Sequence, residues 1–467
     1  MKNIRSLAPV AALALLGMAG CNFLTAGETQ TDPNRPTLAT SRQLLIGAQA
    51  NIWGFWGSDP ARIAGILAQH FTGNQSQYQS QIQNYSLNET VTNGLHAGIY
   101  GGGGLVDIKK IEAGGVASDD RFFQGVGQVM EGALMGTGAD YFGDLVYSKA
   151  LQNISNGIQP VSGELPNPPL DDQFAVYDSV QKVLSAAIVN IGSTRSSDIG
   201  PTSSDLVYGG RGAAAQRAAW VSVAHTLKAR FYLHTAEVRG TAAYQAALAD
   251  AQLGIRSDAD NYVGAFQNSS GLQNFWYQFE VTAGRTGYIT PNSGFENFLS
   301  SRGDPRRSQY FKTTASGDDI SDARLAPDFR QPYVTYDENT LIWAEAAYRT
   351  GDQVTALTKL NEERSNHGLA AEALVGQPLL REILSEKYIA DFQLGPEPWN
   401  DYKRTCFPNL IPTGNGKIPG RLYYDASERQ TNPTNIPNPG TAPNGFRNRN
   451  DPPNAVSDGD GSVCLGQ

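Results

Sequence analysis

Two stretches of the chain combine aromatic and amide side chains in a way that suits sugar recognition. A carbohydrate site needs flat apolar faces for the C–H side of a sugar ring, together with amide and charged groups for its hydroxyls. The candidate ligand-binding residues are Trp53, Trp56, Gln69, His70, Gln77, Tyr78, Trp276, Tyr277 and Arg285. The alternative is that the N-terminal tryptophans belong to the core and that the glutamine-rich run is a solvated loop.

The residue types needed for catalysis or metal binding do not occur at suitable spacings. The sequence has no His-Glu-x-x-His, no Gly-x-Ser-x-Gly and no phosphate loop ending in Gly-Lys-Ser/Thr. Glu131 and Asp140 are two acids of the kind that a glycosidase uses, but nothing in the sequence sets their separation. His225 and His234 lie on opposite faces of one predicted helix and cannot share a metal ion. We therefore expect no catalytic residue, no metal and no cofactor.

The N-terminal residues indicate export. Lys2 and Arg5 precede an apolar stretch that runs from Leu7 to Gly20. Leu15-Leu16-Gly17-Met18-Ala19-Gly20-Cys21 resembles a bacterial lipobox, so we expect residues 1–20 to be a lipoprotein signal peptide and Cys21 to carry a lipid that holds the protein to a membrane. An ordinary secretory signal followed by an unrelated cysteine is the alternative. No later stretch approaches the ~20 consecutive apolar residues of a membrane-spanning helix.

Charge and cysteine content limit the partners and the compartment. The 467 residues carry 36 Lys+Arg against 45 Asp+Glu, a net charge of −9, and no basic run, which argues against nucleic acid as a partner. Besides Cys21 there are two cysteines, Cys406 and Cys464. In an exported protein such a pair predicts a disulfide, with two free thiols as the alternative.

Hydrophobic patterning divides the chain into four parts. Residues 21–40 lack an apolar period and predict a lipidated tether, whereas residues 41–405 carry apolar side chains at three- and four-residue steps and predict helices. Segments rich in Gly, Ser, Asn, Asp and Pro, about 192–211 and 255–336, predict loop-rich insertions in this helical domain. The proline-rich residues 406–467 predict a C-terminal segment that wraps over the scaffold.

Helix signals also predict paired helices. Ser41 is an expected N-cap, Asp171 and Asp172 precede a predicted helix, and Asp337 is expected to cap a helix that ends near Gly351. The spacing Trp343-x4-Tyr348-x2-Gly351-x4-Ala356-x3-Leu360 is similar to that of tetratricopeptide hairpins, and a weaker copy runs from Trp220 to Gly254. The predicted fold is therefore mostly α, a tetratricopeptide-like helical hairpin scaffold with long loop-rich insertions.

Several separated segments also share their order and spacing with one known family. Besides the lipobox, they are residues 140–147, 205–210, 220–230, 304–306, 346–351 with 360–364, 383–388 leading to 399–404, and 418–424. Together they resemble the SusD/RagB family of outer-membrane nutrient-binding lipoproteins, and the resemblance extends through nearly the whole chain.

This resemblance implies a function without catalysis. Such proteins sit on the outer membrane facing outside the cell, act as a lid on a TonB-dependent barrel of the SusC type, and capture oligosaccharides or other nutrients for import. Two segments depart from the family pattern: the residues after Cys21 lack an acidic run, and residues 391–398 carry a Gly-Pro-Glu-Pro insertion. The alternatives are an envelope interaction scaffold without a nutrient ligand and a helix-rich glycosidase.

Overall fold

The computed structural model describes residues 39–92, 94–151, 154–155, 159–160, 167–315, 317–411, 413 and 418–436. The predicted signal peptide, Cys21, nearly all of the tether, Cys464 and the last part of the C-terminal segment lie outside these residues. Cys406 is disulfide-bonded. Since Cys464 lies outside the described residues, the pairing of Cys406 with Cys464 stays a prediction.

Helices make up most of the described chain, and the strands are short. The helices are α1 (Ser41–Gly57), α2 (Asp59–Leu67), α3 (Ala97–Tyr100), α4 (Leu105–Ala117), α5 (Arg121–Phe142), α6 (Gln173–Ile191), α7 (Ala213–Arg239), α8 (Thr241–Ala251), α9 (Phe275–Tyr277), α10 (Ser293–Ser301), α11 (Arg306–Tyr310), α12 (Tyr336–Arg349), α13 (Gln353–Asn366), α14 (Gln377–Ala390), α15 (Glu397–Thr405) and α16 (Ala426–Thr431). The strands are β1 (Phe71–Gly73), β2 (Ile154–Ser155), β3 (Gln159–Pro160), β4 (Tyr262–Val263), β5 (Ile289–Pro291), β6 (Phe311–Thr314), β7 (Gly317–Ile320) and β8 (Pro332–Val334). Antiparallel pairs form between β1 and β5, β2 and β3, β4 and β8, and β6 and β7.

Side-chain caps define where several helices begin. Asp172, one of the two aspartates before the predicted helix, caps α6 and accepts a hydrogen bond from the Phe174 backbone N–H. The two predicted caps are wrong: Thr40 rather than Ser41 caps α1, and Thr335 rather than Asp337 caps α12. Both threonines form capping boxes with the Gln or Glu three residues later, which satisfies two free backbone amides at once. In the second case Asp337 lies in the first helical turn, with its carboxylate 3.4 Å from His367.

The predicted helical hairpins are present. Helices α12 and α13 pack through a cluster of small and apolar residues to which α14 also contributes, comprising Ala344, Ala347, Ala356, Leu360, Leu379 and Ile383. Helices α7, α8 and α12 share a second cluster, which includes Ala229, Leu233, Ala243, Ala247 and Ile342. The alanines allow the close helix approach that the spacing predicted, and the mostly α, tetratricopeptide-like scaffold is confirmed.

Glycines let α5 pack at the centre of the largest cluster. A Cβ on Gly132 would lie 2.6 Å from a methyl carbon of Leu184 on α6, and one on Gly136 would lie 2.3 Å from the ring of Phe231 on α7. Both distances are below van der Waals contact, so any larger residue would push these helices apart.

Buried ion pairs connect the C-terminal helices to the scaffold. The Arg404 guanidinium bonds both oxygens of Glu345 at 2.6 Å and Asp401 at 2.8 Å, and Lys387 lies 2.7 Å from Asp401. These contacts give the Trp399–Arg404 segment a structural role, because removing one partner of a buried pair strands the other charge.

The two predicted insertions differ from each other. In residues 192–211 the regular structure is one 3-10 turn, Thr202–Ser204, whereas residues 255–336 contain β4 to β8 and α9 to α11. In the described part of residues 406–436, Leu410, Ile418, Leu422, Tyr424 and Ile436 are buried in the main core. Within the described residues, no helix is both long enough and apolar enough to cross a bilayer.

Candidate ligand-binding face

The two stretches selected from the sequence lie side by side. Strand β1 of the first pairs with β5 of the second, with Phe71 opposite Pro291 and Gly73 opposite Ile289. The pairing continues past the strands, where the Asn74 backbone N–H donates to the Tyr288 carbonyl oxygen over 2.8 Å. Residues 69–85 and 273–291 therefore form one continuous surface, which we call the candidate face.

Each stretch of the candidate face contains a π-helical turn. These turns, Tyr78–Gln83 and Gln278–Thr282, are the two π-helical segments in the described part of the chain. A π-turn widens the helix by one residue and often marks a functional site. The rings of Tyr78 and Phe279, one from each turn, pack edge to face with centroids 5.1 Å apart.

Beneath the candidate face lies a layer of buried aromatic rings and one ion pair. Trp276 packs against Phe71 with ring centroids 4.9 Å apart. The Arg62 guanidinium lies 4.4 Å from the Phe279 ring centroid and bonds Asp59 at 2.8 Å. This cation over the ring holds the two π-helical turns and α2 together.

The Asp59 carboxylate also accepts a 2.6 Å hydrogen bond from the Tyr78 hydroxyl. Burial raises the pKa of Asp59, but Arg62 and the Tyr78 hydrogen bond outweigh burial and leave that pKa below its usual value. Burial raises the pKa of Tyr78 to about 12, so its hydroxyl remains a neutral donor.

Five of the nine candidate residues lie in the core. The exposed fractions are 4% for Trp53, 2% for Trp56, 0% for His70, 2% for Tyr78 and 0% for Trp276. Rings that are buried this completely offer no open face to a sugar. The expectation of direct ligand contact therefore does not fit the structure for these five residues. Their contacts explain the burial: the Trp56 indole N–H donates to Thr137 Oγ1 over 2.8 Å, for example.

His70 is held by aromatic rings rather than by a ligand. Its ring centroid lies 4.3 Å from that of Phe295 and 4.5 Å from that of Tyr388, and its Nε2 lies 2.9 Å from the Tyr388 carbonyl oxygen. Burial lowers the pKa of His70 to about 3, so the imidazole is neutral at physiological pH.

The remaining four candidates reach the surface of the candidate face. Gln77 and Arg285 are exposed, whereas Gln69 and Tyr277 are half-buried. The Arg285 guanidinium lies 5.4 Å from the Phe279 ring centroid, and Gln69 Nε2 donates to the Ile411 carbonyl oxygen over 2.6 Å. The Gln69 amide nitrogen is thus hydrogen-bonded to the C-terminal segment, and Gln77, Tyr277 and Arg285 are the candidates that can contact a ligand. Half-buried Tyr288 joins them through the β1–β5 pairing, which the sequence alone does not reveal.

Comparison with protein families identifies the chain. The SusD-like family model, described as "Starch-binding associating with outer membrane", matches residues 33–350. The chain belongs to the SusD-like family. The resemblance seen in the sequence is therefore confirmed.

Solved structures with the same fold come from SusD homologues. A SusD/RagB family protein from Bacteroides thetaiotaomicron has a TM-score of 0.64 and 19% identity, covering 85% of this chain and 95% of its own. A chitin-binding SusD homologue from Flavobacterium johnsoniae has a TM-score of 0.67 and 17% identity, covering 84% and 94%. A SusD homologue from Bacteroides uniformis has a TM-score of 0.66 and 18% identity, covering 84% and 95%. Comparison with curated proteins gives no match.

This SusD-like chain also buries an acid within the candidate face. Glu280 lies in the second π-helical turn and is 1% exposed. Burial raises its pKa to about 8, with a further rise from Asp319 and an opposing effect from Arg62. Its carboxyl group is therefore mostly protonated at neutral pH, a state that no sequence pattern signalled.

The two acids considered for a glycosidase lie elsewhere in the SusD-like scaffold and have structural partners. Glu131 Oε1 accepts from the Tyr147 hydroxyl over 2.9 Å and lies 2.6 Å from Lys109 Nζ. Asp140 Oδ1 accepts from the Tyr177 hydroxyl over 2.6 Å and lies 2.9 Å from His234 Nδ1. The predicted separation of the two helix histidines agrees with these contacts, since His225 instead pairs with Asp250 at 2.7 Å.

Two groups of three side chains within the described residues bring a histidine and two carboxylates together. They are Asp140, His234 and Glu397, which are all buried, and Asp337, Glu363 and His367, of which Asp337 and His367 reach the surface. The sequence predicted neither group: the first joins residues from helices far apart in the chain, and the second forms only when α12 and α13 pack as a hairpin.

Proposed function

We propose that this protein captures oligosaccharides at the candidate face and delivers them to a SusC-type TonB-dependent transporter in the outer membrane. The observation that carries the proposal is the convergence of two amide- and aromatic-rich stretches on one surface, in a chain whose family is described as starch-binding. The chitin-binding homologue from Flavobacterium johnsoniae shares this fold and supports a carbohydrate ligand.

The exposed groups of the candidate face suit a sugar. The half-buried Tyr277 ring offers an apolar surface whose backbone is held by the π-helical turn that follows it. Arg285 and Gln77, both exposed, supply donors and an acceptor for hydroxyl groups. A capture protein must also release its cargo, so we expect dissociation constants nearer micromolar than nanomolar, about −8 kcal/mol or weaker.

Calorimetry against a panel of polysaccharides, oligosaccharides and peptides tests the proposal. The protein is the chain without residues 1–20, carrying Cys21→Ala so that it stays soluble. We expect one glycan class to bind, and Tyr277→Ala to weaken binding at least about tenfold without changing the melting temperature. Tyr348→Ala is the matched control, because Tyr348 is also half-buried but lies on α12.

Trp276→Ala is unsuitable for this test. Because Trp276 is fully buried, its truncation should cost about 3–5 kcal/mol of stability and would weaken binding through the fold alone. Arg285→Ala is the better second variant, since an exposed guanidinium can be removed without opening a cavity.

Other outcomes would assign a different role. Binding that neither Tyr277→Ala nor Arg285→Ala weakens would place the ligand elsewhere. Retrieval of a transporter barrel without binding of any panel member would favour an interaction scaffold. Release of shortened glycans, lost in Glu131→Gln or Asp140→Asn, would favour a glycosidase.

The membrane attachment is a separate part of the proposal. We expect Cys21 to be the lipidated N-terminus of the mature protein, which anchors it to the outer membrane facing outwards. Mass spectrometry of the detergent-extracted protein should find acyl chains on Cys21, and Cys21→Ala should move the protein to the soluble fraction. Protease treatment of intact cells should degrade the anchored protein, and the transporter should co-purify with it. Protection from protease in intact cells would contradict the outward orientation.

A further inference from the structure

The start of α12 and the end of α13 bring together three side chains that can bind a metal ion. Asp337 lies in the first turn of α12, while Glu363 lies in the last turn of α13 and His367 directly follows that helix. Since α12 and α13 run antiparallel as a hairpin, the start of one lies beside the end of the other. Glu363 and His367, four residues apart, share one side of α13.

The three donor atoms surround one point. His367 Nε2 lies 3.0 Å from Glu363 Oε1 and 3.4 Å from Asp337 Oδ2, and the three ligand atoms all lie within 4.8 Å of one another. Zinc bonds imidazole nitrogen and carboxylate oxygen at about 2.0–2.2 Å, so two ligands of a tetrahedral zinc ion are separated by about 3.3–3.6 Å. The distance from His367 to Asp337 fits this spacing, and the hydrogen-bond distance from His367 to Glu363 would have to lengthen slightly to admit the ion.

Glu363 supplies a second, independent indication. This residue is 0% exposed, and its other carboxylate oxygen, Oε2, has no hydrogen-bond partner among the described residues. A buried carboxyl oxygen without a partner is costly, and a cation or a water bound to it would remove the cost. Arg306 Nη1 lies 3.8 Å from Glu363 Oε1, which is too far for a hydrogen bond, and the other two guanidinium nitrogens bond Asp304 and Glu386.

We propose that Asp337, Glu363 and His367 form a binding site for a divalent transition-metal ion, with Zn²⁺ as the fitting cation. One imidazole and two carboxylates suit zinc, whereas calcium and magnesium prefer oxygen ligands alone. The side chains of His367 and Asp337 are 19% and 25% exposed, so the ion can enter from solvent and keep a water as a further ligand.

Metal ions compete with protons for imidazole and carboxylate ligands, so Zn²⁺ should bind more weakly at acidic pH than at neutral pH.

Calorimetry with Zn²⁺ alone tests the site on the soluble full-length mature protein after treatment with a chelator and dialysis. We expect one Zn²⁺ per chain, and His367→Gln and Asp337→Asn should each weaken binding at least about tenfold. The matched control is His225→Gln, which removes a partly exposed histidine that contacts a single aspartate and should leave Zn²⁺ affinity unchanged. Circular dichroism verifies that each variant is folded.

A second measurement needs no variant. X-ray absorption at the zinc edge of the loaded protein should show nitrogen and oxygen donors at about 2.0–2.1 Å and an imidazole signature. Absence of Zn²⁺ binding, sulfur ligands, or an affinity that His367→Gln and Asp337→Asn leave unchanged would each overturn the proposal. Because the site lies on the hairpin and not on the candidate face, its failure would leave the proposed glycan function untouched.

Discussion

Two clusters of this protein contain the same three kinds of ligand group and arrange them differently. In the buried cluster of Asp140, His234 and Glu397, the carboxylates approach opposite sides of the imidazole ring: Nδ1 lies 2.9 Å from Asp140 and Nε2 lies 3.0 Å from Glu397. In the second, the single nitrogen Nε2 of His367 faces both Glu363 and Asp337. The first arrangement needs two protons on the ring, whereas the second converges on one point that a metal ion can occupy.

Burial reinforces this difference. All three residues of the His234 cluster are at most 2% exposed, and Arg230 lies 3.5 Å from Glu397. Burial lowers the pKa of His234, yet the charges of Asp140 and Glu397 raise it to about 9, so the ring is an imidazolium ion. The comparison teaches that the direction in which carboxylates approach the ring separates a buried ion triad from a candidate metal site.

The largest expected effect comes from removing the buried imidazolium ion. His234→Gln should lower the free energy of unfolding by about 3–5 kcal/mol, because Asp140 and Glu397 then stay buried without the cation that they share. Chemical denaturation measures this loss. His225→Gln is the control and should cost less than about 1 kcal/mol, and equal losses in the two variants would refute the special role of the buried cluster.

The pH dependence of stability should follow from the same histidine. The pKa of His234 is raised from 6.5 to about 9 in the folded protein. Its contribution is therefore fully present below pH 6.5 and is lost as the pH rises through 9, a change of about 3 kcal/mol. Denaturation curves of the wild type minus those of His234→Gln, taken from pH 6 to 10, should show this fall. A flat difference would mean that the ring is neutral when folded.

The cap of α12 offers a smaller test on the second cluster. Thr335→Ala removes the side chain that caps this helix and should cost about 1 kcal/mol. It should also weaken Zn²⁺ binding, since the cap holds the turn that carries Asp337. The control is Thr358→Ala on the exposed side of α13, which should change neither quantity.

The last test concerns His367→Gln in the absence of metal. Glu363 is fully buried and loses its hydrogen-bonded partner in this variant, so the free energy of unfolding should fall by about 1–3 kcal/mol. We expect a smaller loss than for His234→Gln, because the His367 and Asp337 side chains reach the surface. Added Zn²⁺ should raise the melting temperature of the wild type but not that of His367→Gln, and an equal rise in both proteins would show that the ion does not bind His367.

Local sequence patterns predicted the scaffold well. The apolar spacing of Leu341, Ala344 and Leu360 specified the α12–α13 hairpin, because packed helices require that period. The caps were less certain, since Thr40 and Ser41, or Thr335 and Asp337, are adjacent or near-adjacent residues that can each cap a helix.

The candidate face was predictable in part. Composition selected both stretches, but it did not separate Tyr277, at the surface, from Trp276, in the core. Large aromatic rings suit both settings, and only tertiary packing decides between them. The Glu363-x3-His367 spacing was visible in the sequence, whereas Asp337 joined it only through the hairpin.

Helix α13 packs against α12 and α14 through a small apolar cluster of Ala344, Ala347, Ala356, Leu360, Leu379 and Ile383, which is separate from the main core. A helix held in this way can open locally before the rest of the molecule unfolds. Native-state hydrogen exchange should therefore find the amides of α13 exchanging by local opening, while those of α5, at the centre of the main core, wait for global unfolding. A cation bridging Asp337 to α13 would slow exchange in this helix, so amide protection would report occupancy of the metal site independently of any ligand on the candidate face.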